Sequence, residues 1–366
     1  MAIRRPRLPL RHAILLLFPL LLLSLSAFLP SPVLAKDRSG VVVFDISVQA
    51  GPEEKDVRLW FPYPTSDLEQ RIENLRFGGN YSSFSLSREP MSGALYLFLE
   101  WAGPMRERTL SVSFRATSRE RRAASLRELP VPIPPEAAQY LESDFWIPSG
   151  DPKILALAKK VTAGKKGILA RSRAVYDWVV TNVRRDPDVP GCGLGVVERT
   201  LASRSGKCAD ISSVYVALAR AAGVPAREVF GLRLGRPGQA DITDGHHCWA
   251  EFYLPGTGWV PVDPADVRKA MLEKKIGFGA AKPYRDYYFG SVDEYRIVLQ
   301  RGGRGLSFPE GNAEKVNYFM YPYAEAGGKP LDYCRPSSFR YTIRFDEARS
   351  TSGSHFAHTV KPDNNL

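Results

Sequence analysis

From Val41 to about Ala116 apolar and polar positions alternate with period two. Val42, Phe44, Ile46 and Val48 lie on one side, with Val43, Asp45, Ser47 and Gln49 on the other; Leu110, Val112 and Phe114 alternate with Thr109, Ser111, Ser113 and Arg115. One apolar face per segment predicts half-buried strands packed on a second layer. Phe84 and Leu86 alternate with serines, while Val57–Tyr63 and Leu95–Trp101 read as more deeply buried strands. About six short strands punctuated by Gly, Pro and Asn predict a small β-sandwich over residues 36–118. It carries no group of residues that suggests chemistry.

The pattern then changes. Residues 119–150 begin with a charged run, Arg119–Arg122, and continue through Pro130, Pro132, Pro134 and Pro135, which enforce an extended path. This segment is read as a linker, with Tyr140–Pro148 docking it on the second domain. Asp151-Pro152 is a helix start, an N-cap acid followed by proline at the first helical position. Ile154, Leu155, Ala158 and Val161 form its apolar stripe, and Gly164 ends it. Tyr176, Val179, Val180 and Val183 repeat at i, i+3, i+4, i+7 and predict a second helix over about 168–183. A short helix is expected over about 196–202. A further helix begins near Cys208, with Ile211, Val214, Tyr215 and Leu218 as its stripe and Gly223 and Pro225 as its stop. Trp249–Leu254 and Trp259–Val262 read as the strands of a hairpin turned by Gly256-Thr257-Gly258. Lys269–Phe289 reads as irregular. Arg296–Leu299, Tyr318–Tyr323 and Tyr341–Phe345 read as closing strands. The expected layout is a core over 151–300, a β extension over 301–349 and a polar tail over 350–366.

The amino terminus is a separate object. Arg4, Arg5, Arg7 and Arg11 precede an apolar run from about Ala13 to Leu29, broken by Pro30 and Pro32, with Val33-Leu34-Ala35 beyond. This is the pattern of a signal peptide over 1–35, with cleavage expected after Ala35 and the mature protein periplasmic or secreted, without stable membrane association. Loss of four arginines takes the net charge from +11 to about +7. With no dense basic cluster interleaved with aromatics, the composition does not point to nucleic acid. The four cysteines are Cys192, Cys208, Cys248 and Cys334. In an oxidising compartment an even count suggests disulfides, but spacing does not settle connectivity. If Cys208 stays free, one bridge at most forms; Cys192 with Cys248 is the preferred pairing, both lying in the core segment.

The candidate chemistry lies between Gly206 and Asp263. Cys208 falls at a helix N-terminus, where unpaired N–H groups and the helix dipole favour a thiolate and offer donors to a developing oxyanion. Asp210, in the first turn, reads as a dipole-favoured helix acid. Of five histidines, only His246 and His247 fall in well-structured sequence. Strand alternation puts His247, Trp249 and Glu251 on one face and Cys248 and Ala250 on the other, and His247 is chosen as the base. Asp263 ends the return strand of the hairpin, where a carboxylate can fix the imidazole tautomer. Neither a C-x-x-C nor an H-x-x-x-H spacing is present, and no metal or cofactor is expected.

Gly206-Lys207-Cys208-Ala209-Asp210 with Ala217–Arg227, His247-Cys248-Trp249-Ala250-Glu251, and Trp259-Val260-Pro261-Val262-Asp263-Pro264 together resemble the transglutaminase-like superfamily. The resemblance spans about Asp151 to Asp266, with some forty residues from Cys208 to His247. It implies an α+β fold, a papain-like core preceded by the β-sandwich. It also implies Cys208 as nucleophile, His247 as general base then acid, and Asp263 as orienter. The expected activity is an exported thiol-dependent amide or peptide hydrolase or acyltransferase acting through a thioester on a peptide, protein or cell-envelope amide. A protein-glutamine transamidase and a non-catalytic envelope-binding module of the same fold are the alternatives. The side-chain oxyanion donor and calcium modules of the animal enzymes have no counterpart here.

Overall fold

A computed structural model describes residues 36–348 except 91, 124, 312–314, 333–336 and 338. The expected signal segment, the tail and Cys334 lie outside the described residues. Among those described, no helix is long and apolar enough to cross a membrane. The described residues form one compact unit.

The period-two segments form strands. They are β1 (Asp37–Val48), β2 (Asp56–Pro62), β3 (Gln70–Gly79), β4 (Ser83–Arg88), β5 (Leu95–Ala102) and β6 (Arg108–Arg119). β6 pairs antiparallel with both β1 and β3, and β5 with both β2 and β4. The apolar faces of the two sheets meet: Phe44 of β1 packs edge-on to Phe61 of β2 with ring centroids 5.0 Å apart. The second sheet is buried on its outer face too, where Trp60, Tyr96 and Phe98 contact Leu306, Phe308 and Phe319.

The linker is bound to the core along its length. Its strand β7 (Arg121–Arg122) pairs with Ser291–Val292. The Glu128 carboxylate accepts from the Ile168 and Leu169 N–H groups at 2.9 and 3.1 Å, filling the capping role that local sequence leaves open for the helix Gly167–Asn182. Asp151 caps the helix Pro152–Val161 as expected, accepting from Lys153 and Ile154 N–H. Arg220 donates to the Glu142 carbonyl at 2.9 Å.

The core consists of helices against a four-stranded antiparallel sheet. After the two-residue strands β8 (Arg184–Arg185) and β9 (Ser205–Gly206), which pair parallel, comes the helix Cys208–Ala221, nearly every residue of which is buried. The sheet comprises β10 (Ala226–Arg233), β11 (His246–Leu254) and β12 (Gly258–Val262). β13 (Ser291–Val292) lies outside it, and β14 (Arg296–Arg301) completes the order β12-β11-β10-β14. The stretch 269–289 differs from its irregular reading. It contains the end of a helix Pro264–Lys274 and a helix Lys282–Tyr287. The first has the same start as Asp151-Pro152: Asp263 is its N-cap and Pro264 its first residue.

The C-terminal segment returns to the sandwich. β15 (Tyr323–Ala326) pairs with β2, β16 (Lys329–Pro330) with β15, and β17 (Phe339–Glu347) runs antiparallel to β1 along Gly40–Val48. Residues 318–322, expected as strand, are instead irregular, because their side chains insert into the core: Tyr318 stacks on Phe230 at 5.0 Å.

One buried carboxylate ties these parts together. Glu251 of β11 is fully buried. Its Oε2 accepts from Arg227 Nε and Nη2 at 2.9 and 2.7 Å, and its Oε1 from Arg121 of the linker, with Arg301 Nε 3.8 Å away. Arg121 and Arg301 also pair with Glu69, at 3.2 and 3.3 Å, ahead of β3. Burial works to raise the Glu251 pKa, but Arg121, Arg227 and Arg301 overcome it and hold the carboxyl far below its usual range. Such a group stabilises the fold above the unfolded-state carboxylate pKa, and that contribution is lost as pH falls through the folded value. Glu251→Gln is therefore expected to cost about 3 kcal/mol at neutral pH, with the deficit shrinking as pH drops below the ordinary carboxylate range. Urea unfolding of both proteins across pH checks this. A loss near zero at pH 7 would mean that the arginines are held in place without Glu251.

Candidate active site

The Cys208 helix starts directly after β9. Asp210 in its first turn reaches back to two backbone donors, Lys207 N–H at 3.0 Å and Gly195 N–H at 2.8 Å. It is a helix-start acid, as read from the sequence, and it also fastens the 190–195 loop to the helix. Gly193 in that loop has φ +86°, and a Cβ there would lie 1.9 Å from an Asp210 oxygen, so glycine is required. The Ala209 N–H donates to the Cys192 carbonyl at 2.9 Å. That donor is engaged, which narrows the oxyanion expectation to the Cys208 N–H.

Strand β11 sorts its side chains as alternation requires. Cys248, Ala250 and Phe252 join the main core, whereas Trp249 packs with Val229 and Val292 on the opposite side. His246 stacks on Tyr321, with centroids 4.1 Å apart, and burial pushes its pKa down to about 4, so it is neutral. His247 Nε2 donates to Asp263 Oδ2 at 2.7 Å. Of the three residues singled out in the sequence, His247 and Asp263 are hydrogen-bonded to each other, and the His247 imidazole is near enough to help lower the Cys208 pKa.

Asp263 is fully buried, and its oxygens are shared among three donors. Besides His247, Oδ2 accepts from Arg296, and Oδ1 accepts the Asp266 N–H at 2.8 Å as the helix cap. Asp266 in turn pairs with Arg233 and, at 2.7 Å, with Arg296, and its Oδ1 lies 3.6 Å from His247 Nε2. The sequence pattern singles out none of Asp266, Arg233 and Arg296. Burial works to raise the Asp266 pKa; Arg233, His247 and Arg296 overcome it and hold the carboxyl well below its usual range. For His247, burial works to lower the pKa, but Asp263 and then Asp266 outweigh it and hold the imidazole above its ordinary value. His247, Asp263 and Asp266 have the donor types for a metal cation. Here, however, Arg233 and Arg296 already supply the positive charge that the two carboxylates require.

The expected Cys192–Cys248 bridge is not formed. Cys192, Cys208 and Cys248 are all free thiols, and their sulfurs lie within 4.8 Å of one another. The physical reason is where the two residues are delivered: Cys192 from the loop beneath the helix start and Cys248 from the helix-facing side of β11, so both meet Cys208. The thiols of Cys192 and Cys248, and then His247, outweigh burial and hold the Cys208 pKa well below its ordinary value. The Cys192 and Cys248 thiols are pushed well above theirs, by Cys208 in the first case and by burial in the second. Both shifts run toward the charged forms of Cys208 and His247, the direction that nucleophilic acyl transfer needs. Cys208 is 2% exposed and His247 4%. A separate cleft of 1460 Å³, lined by Arg233, Asp244, Tyr288, Asp293 and Tyr295, includes neither.

Residues 155–264 match the transglutaminase-like superfamily. An uncharacterized protein of Haemophilus influenzae is 33% identical over 326 residues, covering 81% of this chain and 88% of its own length. The chain belongs to the transglutaminase-like superfamily. A protein-glutamine gamma-glutamyltransferase of Pseudomonas aeruginosa is 30% identical over 126 residues, 31% of this chain but only 18% of that protein. Among solved structures, a protein of Cytophaga hutchinsonii provisionally described as a cysteine protease superposes with a TM-score of 0.54 at 16% identity, covering 86% of this chain and all of that one. It shares the fold.

The two acids around His247 lead to a direct expectation. Removing one negative charge destabilises the imidazolium, so Asp266→Asn moves the His247 titration to lower pH, by about one unit. Nuclear magnetic resonance of the His247 ring protons across pH 5–9 measures it. An unchanged or upward-shifted titration would show that Asp266 does not hold the proton there.

Proposed function

We propose that this protein is an exported thiol enzyme that cleaves an amide or peptide bond through a thioester on Cys208. The observation that carries the reading is the set Cys208, His247 and Asp263, with the Cys208 pKa lowered and the imidazole hydrogen-bonded to a buried carboxylate. The thiolate attacks the substrate carbonyl. The Cys208 N–H at the helix start is the donor assigned to the developing oxyanion. His247, protonated at rest, gives its proton to the leaving amine as the carbon–nitrogen bond breaks and the thioester forms. It then takes a proton from water, which attacks the thioester; the carbon–sulfur bond breaks, the carboxylic acid product leaves, and Cys208 thiolate beside protonated His247 is restored. Asp263 and Asp266 stabilise the imidazolium, and Arg296 keeps Asp263 placed for His247. The signal-like amino terminus supports a periplasmic or secreted setting, where peptides, proteins and cell-envelope amides are the available substrates.

An amine in place of water makes the same thioester a transamidation intermediate. The gamma-glutamyltransferase relative supports this second reading, although the match covers a small part of that protein. Supplying a glutamine-containing peptide with and without a primary amine separates the two. Ammonia release unaffected by the amine, with none incorporated, is expected for the hydrolase; amine incorporation overturns it in favour of the transamidase. In either case Cys208→Ala abolishes turnover and labelling by a thiol-directed probe. His247→Ala lowers the rate by about 10²–10⁴-fold. Turnover that survives Cys208→Ala would remove the thioester altogether.

A further inference from the structure

Acyl transfer uses one thiol, and this site has three. Cys192 comes from the loop ahead of the helix, Cys208 from the helix start and Cys248 from β11, three separate elements converging on one point. All three are buried: 4%, 2% and 0% exposed. A fourth sulfur lies beside this group: Met320 Sδ is 3.9 Å from Cys248 Sγ. Four sulfurs delivered by four segments, with the thiols close enough to share one ion, form a donor set of a single chemical kind.

We propose that Cys192, Cys208 and Cys248, with Met320 against them, form a binding site for a soft monovalent cation, Cu(I), whose occupation masks the nucleophile. Thiolate and thioether donors select Cu(I), whereas carboxylate, carbonyl and water oxygens suit magnesium and calcium. The thioether distinguishes further: zinc sites are built from thiolate, imidazole and carboxylate, and Met320 is none of these. The sulfurs need to close in by only a fraction of their present spacing to bind one ion. Proton balance is simple. Each thiol that binds as thiolate releases its proton to solvent as the sulfur binds. The copper remains Cu(I) and no electrons move. Because the sulfurs are so little exposed, a bare ion handed over by a small carrier fits where a bulky ligand does not. Masking then follows directly, since the Cys208 lone pair that would attack a carbonyl is on the metal.

The binding claim stands without the hydrolase reading; only the masking of catalysis rests on it. The test therefore reads metal and thiol directly. The full chain, reduced and held without oxygen, is titrated with Cu(I) from a bicinchoninate buffer. The expected result is one Cu(I) per chain, thiolate-to-copper absorption in the ultraviolet, and protection of Cys208 from iodoacetamide, mapped by mass spectrometry. Cys192→Ala with Cys248→Ala should abolish stoichiometric binding. Since that pair lies in the core, Met320→Leu, which keeps volume and removes the sulfur, serves as the milder variant and should weaken Cu(I) by about tenfold. Cys208 alkylated as fast with copper bound as without it would place the metal elsewhere and overturn the proposal. So would Cu(I) affinity unchanged in Met320→Leu and in the double alanine variant, or Zn²⁺ held as tightly as Cu(I). Failure of this test leaves the thioester reading intact, because ammonia release and Cys208→Ala test that separately.

Discussion

A carboxylate buried away from water must have its charge balanced and its lone pairs filled, and Asp263 shows how much structure that requirement organises. Its Oδ1 caps the helix Pro264–Lys274 through the Asp266 N–H, while its Oδ2 is shared by His247 and Arg296. The cap fixes the carboxylate relative to the helix, and Arg296 fixes it relative to β14. With both settled, the second oxygen is aimed at the start of β11, where His247 sits. Capping the helix and orienting the imidazole are thus two consequences of the same geometry. A loosened cap would disturb the imidazole as well.

Glu251 carries the same constraint to the other end of β11. Its charge is balanced by arginines from β10, β14 and the linker, and two of these reach Glu69 beside the sandwich. β11 therefore presents a polar face with two buried ionic centres, His247 near one end and Glu251 four residues on. Its opposite face supplies Cys248, Ala250 and Phe252 to the core under the Cys208 helix. A strand that is charged on one side and apolar on the other needs both sides covered. The linker and the C-terminal return provide that cover, which is why the described residues close into one compact unit.

The legible parts of the sequence are those governed by local rules. Period-two alternation locates the sandwich strands, and 3.6-residue periodicity locates the Cys208 helix. Alternation along β11 puts His247, Trp249 and Glu251 together, and the geometry agrees. What escapes is set by distant partners. β3 shows little alternation, being half exposed along most of its length, and its pairing with β6 is interrupted by a bulge. Residues 318–322 have strand-like composition but are drawn into the core by Phe230 and His246. Arg233, Arg296 and Asp266 matter only through the folded sheet, so no spacing announces them. The helix Pro264–Lys274 is different, because its signal is present. Asp263-Pro264 repeats the start seen at Asp151-Pro152, but the aspartate reads first as a partner for the imidazole. One residue fills two local roles, and reading one conceals the other.

The cysteines show why counting fails where geometry is needed. An even number in an exported chain suggests pairing, and the loop and strand positions of Cys192 and Cys248 permit it. Their destination is instead the sulfur at the helix start. A thiolate there is favoured by the helix N-terminus, yet the Ala209 N–H is spent on the Cys192 carbonyl. The surrounding stabilisation falls to the two flanking thiols and to His247. The pKa values of those thiols are pushed up, by Cys208 for Cys192 and by burial for Cys248. The shifts favour negative charge on the Cys208 sulfur over its two neighbours. The arrangement keeps the Cys208 sulfur nearly sealed from water, with Cys192 and Cys248 lying against it rather than joined to each other.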